Sequence, residues 1–330
     1  MKISTVGMSR EDWLKERKRG IGASDAPTVV GLGYDDRSPY DLYLEKRGEA
    51  EPKDLSDNEA VHFGQVLEEV VAQEFALRNG RKVRRVNAIL QHPDHPWMLA
   101  NLDREVVAEP GGEPEILECK TTGYRGAAQW GESGDEVPDR VIVQVQHQLA
   151  VRRRTVAYVA ALIGGQQYRQ YRIVRDEPLI EMLIAAETRF WECVKTGVPP
   201  EITSIEDARK RYPVSREIAV EASPEMNLAL LSMRSLQEQI DALQAEFDAQ
   251  KTLVLAGMGN ADTLTFLGSK LATWKSAREF DEGVFADRYP EIAAKCAKTV
   301  LDKSLVRKEH KAAYEDCLLP GGRRFLISKG

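Results

Sequence analysis

The sequence predicts an α+β fold, a mixed central β-sheet flanked by helices, followed by a smaller α+β extension. Three observations lead there. Up to residue 200 the apolar periodicities run in the order α-α-β-β-β-α-β-β-α, which fits neither a helical bundle nor a β-sandwich. Two strand-like stretches, Val156 to Ile163 and Tyr168 to Val174, flank Gly164-Gly165 and read as a hairpin. After Gly197-Val198-Pro199-Pro200 the pattern changes to one long helix with short elements behind it, dividing the chain into domains of 1–200 and 201–330.

The 330 residues, 42% hydrophobic and 30% charged, describe an ordinary globular protein able to bury a sizeable core. No apolar run approaches the roughly 20 residues of a membrane span, and Met1-Lys2-Ile3-Ser4-Thr5 lacks the apolar core of a signal peptide. A cytoplasmic protein without membrane partners is expected. Cys119, Cys193, Cys296 and Cys317 are scattered without a C-x-x-C pair, which argues against a zinc site, an iron–sulfur cluster or a disulfide framework and leaves free thiols. A net charge of −6 argues against an indiscriminate nucleic-acid binder. Two basic runs, Arg81-Lys82-Val83-Arg84-Arg85 and Arg152-Arg153-Arg154, read as solvated faces or as local phosphate tracks.

In chain order, Ser9-Arg10-Glu11-Asp12 is an N-cap with an acidic first turn and starts a helix reaching about Lys18. The glycines of Arg19-Gly20-Ile21-Gly22-Ala23-Ser24 break it, and Ser24 is placed to cap a further helix beside Arg19, a combination suited to phosphate. Ser38-Pro39 opens another helix. A longer one spans about Asn58 to Arg78, with Val70, Val71, Phe75 and Leu77 among its apolar positions and Asn79-Gly80 as its stop. Gly64 and Glu68 share one face, so the helix can approach a sheet closely near the carboxylate. Strands follow at about 83–91, 97–107 and 116–121. A helix from Asp139 to Val151 aligns Gln144, His147, Gln148 and Val151 on one face, and another runs from Pro178 to about Lys195 with Leu179, Met182 and Leu183 inward. Beyond residue 200, Ser223-Pro224-Glu225 starts a helix to about Ala256. Its stripe of Leu236, Ile240, Leu243 and Phe247 is expected to pack back on its own domain. A hairpin at Gly268-Ser269, two helices and a strand over Arg323 to Ile327 complete the extension.

The chemistry centres on Ile116-Leu117-Glu118-Cys119-Lys120 and on Asp103, at the end of Asn101-Leu102-Asp103. On a strand Glu118 and Lys120 share a face while Cys119 points away, leaving its backbone carbonyl as a further donor. Carboxylate and carbonyl oxygens suit Mg²⁺, which neutralises phosphate oxygens and lowers the pKa of an attacking water, so the set reads as a metal-dependent phosphodiesterase. Taken alone, the same residues describe a turn aspartate and an exposed ion pair.

Five pieces occur in one order: Arg19 to Ser24, Gly64-x-x-x-Glu68, Asn101-Leu102-Asp103, Leu117-Glu118-Cys119-Lys120 and Gln144-Val145-Gln146-His147-Gln148-Leu149. With them, residues of about 10 to 200 resemble the lambda-exonuclease family, in its YqaJ-type viral recombinase branch within the PD-(D/E)XK nucleases. The resemblance implies that Asp103, Glu118 and Glu68 bind metal, with Mg²⁺ as cofactor and Mn²⁺ as substitute. It implies further that Lys120 is the catalytic lysine, that Gln144 faces the active site, and that Arg19 and Ser24 hold a terminal 5′-phosphate, with Arg17 as the alternative to Arg19. The implied activity is 5′→3′ exonuclease action on double-stranded DNA ends, releasing 5′-phosphomononucleotides and resecting one strand for recombination with a single-strand annealing protein. Some members form ring-shaped trimers. Leu102 stands where the family name expects proline, and Arg104 where the branch usually has a small residue. Endonuclease action within the superfamily and non-catalytic DNA-end binding are the alternatives.

Overall fold

The computed structural model describes residues 1–34, 37–131, 136–276, 280–296 and 303–317, in two compact units divided after Arg211. The first opens with β1 (Lys2–Ser4) and α1 (Arg10–Lys18), where the Ser9 hydroxyl accepts from the Asp12 amide. β2 (Ile21–Gly22) and a four-residue α2 (Ala26–Val29) follow. α3 (Pro39–Arg47) begins in a capping box between Ser38 and Asp41. α4 (Glu59–Asn79) runs from an Asn58 cap to Gly80, whose left-handed backbone ends it as expected. Next come β3 (Val83–Arg85), β4 (Ala88–Gln91), β5 (Met98–Ala100), β6 (Arg104–Val106) and β7 (Glu115–Thr122). A 3₁₀ segment, Tyr124–Gln129, leads to α5 (Asp139–Arg152), the hairpin β8 (Val156–Ile163) and β9 (Gln167–Val174), α6 (Glu177–Thr196) and α7 (Ile205–Arg211).

The fold is mixed α and β as expected, but among the described residues the strands of the first unit form two sheets instead of one. Each of the apolar runs 83–91 and 97–107 is bent in the middle, at Val86-Asn87 and at Asn101-Leu102-Asp103, and contributes a strand to each sheet. One sheet has the order β1-β4-β5-β2, with β2 parallel to β5. The other has the order β3-β6-β7-β8-β9, in which β7 and β8 are parallel and the remaining pairs antiparallel. The glycine stretch, read as a helix breaker, thus supplies a strand. A Cβ on Gly20 would lie 2.4 Å from the Trp97 carbonyl, so the approach of this segment to β5 requires glycine.

Two helices cover opposite faces of the five-stranded sheet. Val71, Ala72 and Phe75 of α4 bury against Leu117 and Ala160, whereas Val70 and Leu77 stay exposed. Val145 and Leu149 of α5 bury against Ile116, Val159 and Ala161. On α6 the inward residues are Ile180, Leu183, Phe190 and Val194, with Met182 outside. The boundary expected at 200 falls before α7, which is tied into the first unit. Asp207 of α7 is buried and accepts from the Ser38 hydroxyl at 2.5 Å, and Lys210 reaches Asp41 at 2.7 Å.

A fully buried pair links α5 to α6. His147 places Nδ1 2.8 Å from Glu187 Oε1 and Nε2 2.9 Å from the Leu99 carbonyl. With Glu187 as a carboxylate both partners are acceptors, which favours the doubly protonated ring. Burial works against that charge, and Glu187 outweighs it, so the pKa stands above its ordinary value. A raised histidine pKa gives stability that is complete below the unfolded value of about 6.5 and is lost as pH rises through the native value. Glu187→Gln is therefore expected to cost about 1–3 kcal/mol in urea denaturation at pH 6, with a deficit that shrinks toward alkaline pH.

Among its described residues the second unit holds α8 (Pro224–Met258), the hairpin β10 (Thr263–Phe266) and β11 (Ser269–Thr273), and the short helices α9 (Glu282–Arg288), α10 (Pro290–Cys296), α11 (Lys303–Glu309) and α12 (Lys311–Asp316). The strand expected over 323–327 lies outside the described residues. The α8 stripe expected to pack inward is exposed at Leu236, Ile240, Leu243 and Phe247. Among the described residues no helix is long and apolar enough to cross a membrane.

Candidate active site

Asp103 sits at the bend where the chain leaves one sheet and enters β6 of the other. One step beyond the Arg104–Leu117 register pair, its Oδ2 accepts from the Cys119 amide at 2.8 Å. That bond brings Asp103 beside Glu118 on the middle strand. Glu118 is buried and receives donors on both oxygens: Lys120 Nζ at 2.7 Å and Gln144 Nε2 at 2.6 Å on Oε1, and Gln148 Nε2 at 2.7 Å on Oε2. Lys120 also donates to Gln144 Oε1 at 2.9 Å. Strand alternation puts Glu118 and Lys120 on the face covered by α5, and the i, i+4 spacing of Gln144 and Gln148 delivers two amides to them.

The electrostatics identify Asp103 as the strained member. Burial first, then the charges of Glu118 and Glu68, raise its pKa well above the ordinary carboxylate value, against the opposing Cys119 amide. Burial alone would lower the Lys120 pKa, but the charge and hydrogen bond of Glu118 hold it above its usual value, so Lys120 is a cation.

Glu68 and Cys119 lie on the other side. Cys119 packs toward the α4 face of the sheet, and burial raises its thiol pKa, so the thiol stays protonated and only its carbonyl remains as a donor. Glu68 is engaged by Arg104, whose side chain is 3% exposed. The same guanidinium reaches Glu69 Oε2 at 2.8 Å and the Asp103 carbonyl at 2.6 Å. The structure therefore brings Asp103, Glu118, Lys120 and Gln144 together and holds Glu68 at one remove. Among the described residues no three histidine, cysteine or acidic ligands converge as a ready metal cluster. The donor chemistry nevertheless fits a hard divalent cation, because two carboxylates held close enough to repel each other are relieved by positive charge between them.

The expected phosphate site is arranged differently from its sequence reading. Arg19 is a surface residue paired with Glu16 at 2.9 Å, and Ser24 is joined instead by Arg17, whose Nη2 lies 2.9 Å from its hydroxyl. Ser24 is not a helix cap. It precedes Asp25, which is fully buried and binds Lys46 at 2.8 Å, Arg37 at 2.9 Å, Arg17 at 3.4 Å and the Gly22 amide at 3.1 Å. Burial opposes the Asp25 charge, yet Lys46, Arg17 and Arg37 hold its pKa well below the usual carboxylate range. Ala26 packs with Val143, the neighbour of Gln144, so this cluster is tied to the helix carrying the site amides.

Sequence reasoning assigned no site role to Gln148, Asp25, Arg37 or Lys46. Only Gln148 left a signal, its helical spacing from Gln144. The two basic runs are largely consumed in ion pairs: Arg81 with Glu115, Arg84 and Arg152 with Glu105, Arg85 with Glu69, Arg153 with Asp94 and Arg154 with Glu113. Most of their cations are therefore already met by carboxylates of the same unit.

Residues 12–155 match the family model described as the YqaJ-like viral recombinase domain. A relative from Bacillus subtilis (strain 168), "Uncharacterized protein YqaJ", is 36% identical over 301 residues, covering 88% of this chain and 92% of the relative. The chain belongs to the YqaJ family. Among solved structures it is similar to an alkaline exonuclease, LHK-Exo, from Laribacter hongkongensis, with 20% identity over 62% of this chain and 98% of that one, at a TM-score of 0.48. A phage-related exonuclease from Haemophilus somnus 129PT is 12% identical over 54% of this chain and 96% of its own, at a TM-score of 0.38.

Proposed function

We propose that this protein is a Mg²⁺-dependent nuclease of recombination that degrades one strand of double-stranded DNA from its 5′ end, releasing 5′-phosphomononucleotides. The observation that carries the reading is the contact set joining Asp103, Glu118, Lys120 and Gln144 at one bend of the sheet. Asp103 and Glu118, with the Cys119 carbonyl and with Glu68 once released from Arg104, would hold Mg²⁺, for which Mn²⁺ substitutes. When bound, the ion supplies charge neutralisation at the phosphate and a lower pKa for water. Lys120 would orient the attacking water; because Glu118 holds it as an ammonium, it would take that water's proton only after giving up one of its own. Gln144 spans both groups and fixes their separation.

Arg17 and Ser24 take the terminal 5′-phosphate in this reading. Ser24 is exposed, and Arg17 already points its guanidinium at the hydroxyl, which makes Arg17 the better anchor than Arg19. The complementary strand left exposed is then available to a single-strand annealing protein. A ring-shaped trimer around the duplex accords with the family resemblance.

The test compares a 5′-phosphorylated linear duplex with a covalently closed circle of the same sequence, each with Mg²⁺ and with EDTA. Shortening of the linear duplex alone, and only with Mg²⁺, is the expected outcome; cuts in the closed circle would mean endonuclease action instead. In the same assay Arg17→Ala should reduce the preference for phosphorylated over hydroxyl ends about 10- to 100-fold, the worth of one charge-assisted hydrogen bond. Arg19→Ala should leave that preference unchanged.

A further inference from the structure

The exposed apolar side chains of α8 repeat at a spacing for which the nuclease site has no use. Met226, Met233, Ile240 and Phe247 recur every seven residues, and Leu236 and Leu243 follow three residues after the middle two. Ala229 holds the equivalent place after Met226. This is an unbroken a/d pattern over three heptads, with the 3.5-residue period of a supercoiled seam. A helix that lies on a globular core carries a wider stripe. Here the positions beside the seam from residue 232 to 251 are polar: Ser232, Gln237, Gln239, Gln244, Glu246 and Lys251. The larger seam residues are between 41% exposed, at Met233, and 64% exposed, at Leu243. Gln237 and Gln244 donate to Asp241 at 2.9 Å and Asp248 at 3.1 Å, which turns both amides away from the seam.

We propose that α8 is an interaction surface for a second copy of this chain, the two helices lying parallel and in register as a two-stranded coiled coil. Three features select that occupant. A strict seven-residue repeat keeps its seam aligned only against a helix with the same supercoil, and an identical helix provides it. In parallel register each g position faces the e position five residues further along the other helix. Glu246 then meets Lys251 of the other copy, Ser232 meets Gln237, Gln239 meets Gln244, and no like charges face each other. The 35 residues of α8 span about 52 Å at 1.5 Å per residue, and three heptads is the length over which a two-stranded seam is sustained.

The full-length chain carries the test, with the exposed Cys296 and Cys317 replaced by serine. Ile240→Cys, at the seam, should form an interchain disulfide under mild oxidation, because a positions face each other in a parallel pair. Glu238→Cys, on the opposite side of the helix, should not. Independently, Leu236→Glu with Leu243→Glu should weaken self-association at least tenfold in sedimentation velocity, while the first melting transition stays at the wild-type temperature and shows the nuclease unit folded. The cross-link is specific to α8, and the mass is read against wild type, so that any contacts made by the nuclease units are common to both chains. Failure of Ile240→Cys to cross-link above the Glu238→Cys level overturns the proposal, as does an unchanged mass for the doubly substituted chain. An antiparallel pair or a different protein partner would give the first of these results.

Discussion

Asp103→Asn is expected to lower DNA cleavage by at least about 10³-fold, because a metal ligand and its base act as one unit, while making the protein in EDTA more resistant to heat. The two effects have one cause. In the native fold burial and the neighbouring Glu118 oppose ionisation of Asp103, so at neutral pH its charge is a cost that the unfolded chain does not bear. Asparagine still accepts the Cys119 amide and removes that cost. Each ~1 kcal/mol of relieved repulsion should raise the melting temperature about 2–4 °C in a unit of this size. Lys120→Met provides the contrast. It should lower cleavage about 10²- to 10⁴-fold, the range for loss of a proton-transfer group, without the gain in stability, because it removes the cation that offsets Glu118. If Asp103→Asn melted below wild type in EDTA, the repulsion argument would fail; if it cut DNA at the wild-type rate with Mg²⁺, so would the site assignment.

Arg104 shows why Glu68 does not join the other carboxylates. A nearly buried guanidinium between Glu68, Glu69 and the Asp103 carbonyl satisfies these acids. A small residue at position 104 would have left Glu68 free to swing toward the bend. The departure at position 104 noted from the sequence thus has a structural consequence, a nearly buried cation paired with Glu68, one of the expected metal ligands.

What could be read from the sequence follows the range of the interactions involved. Helix α4 was legible at both ends because Asn58 and Gly80 act on the residues beside them. The β8–β9 hairpin was legible because a two-glycine turn separates two apolar runs, and Glu118 with Lys120 because a strand alternates. The division into two sheets was not, since periodicity shows which face a residue occupies and not which strand lies beside it. The bends at Val86-Asn87 and Asn101-Leu102-Asp103 carry no glycine or proline. Likewise the choice between Arg17 and Arg19 depends on where α1 ends relative to β2, a tertiary distance invisible to local spacing. The arginine runs left solvated faces and phosphate tracks both open because their carboxylate partners, Glu105 and Glu115 among them, lie on other strands. The α8 stripe was legible as a stripe, but its exposure depends on what the other elements of its own unit do not cover.

Asp25→Ala is expected to cost about 3–5 kcal/mol in urea denaturation at pH 7, because Arg17, Arg37 and Lys46 would be left facing one another around a buried space. The pH dependence follows from the depressed pKa of Asp25. Its contribution is present above the unfolded value of about 3.9 and is lost only as pH falls through the lower native value, so wild type should hold this stability at pH 5 and lose it below about pH 4. The variant's deficit should therefore be constant from pH 7 to 5 and close in stronger acid. The cluster has three cations against Asp25 and Glu45, so even wild type carries a surplus positive charge beside Ser24. If that surplus serves the 5′-phosphate, removing Asp25 increases it, and inorganic phosphate should raise the melting temperature of Asp25→Ala more than that of wild type. Equal stabilisation of the two proteins would detach the cluster from phosphate binding and leave it as a brace for α1 and α3. An Asp25→Ala protein as stable as wild type would refute even that, since no other carboxylate reaches both Arg17 and Lys46 among the described hydrogen bonds.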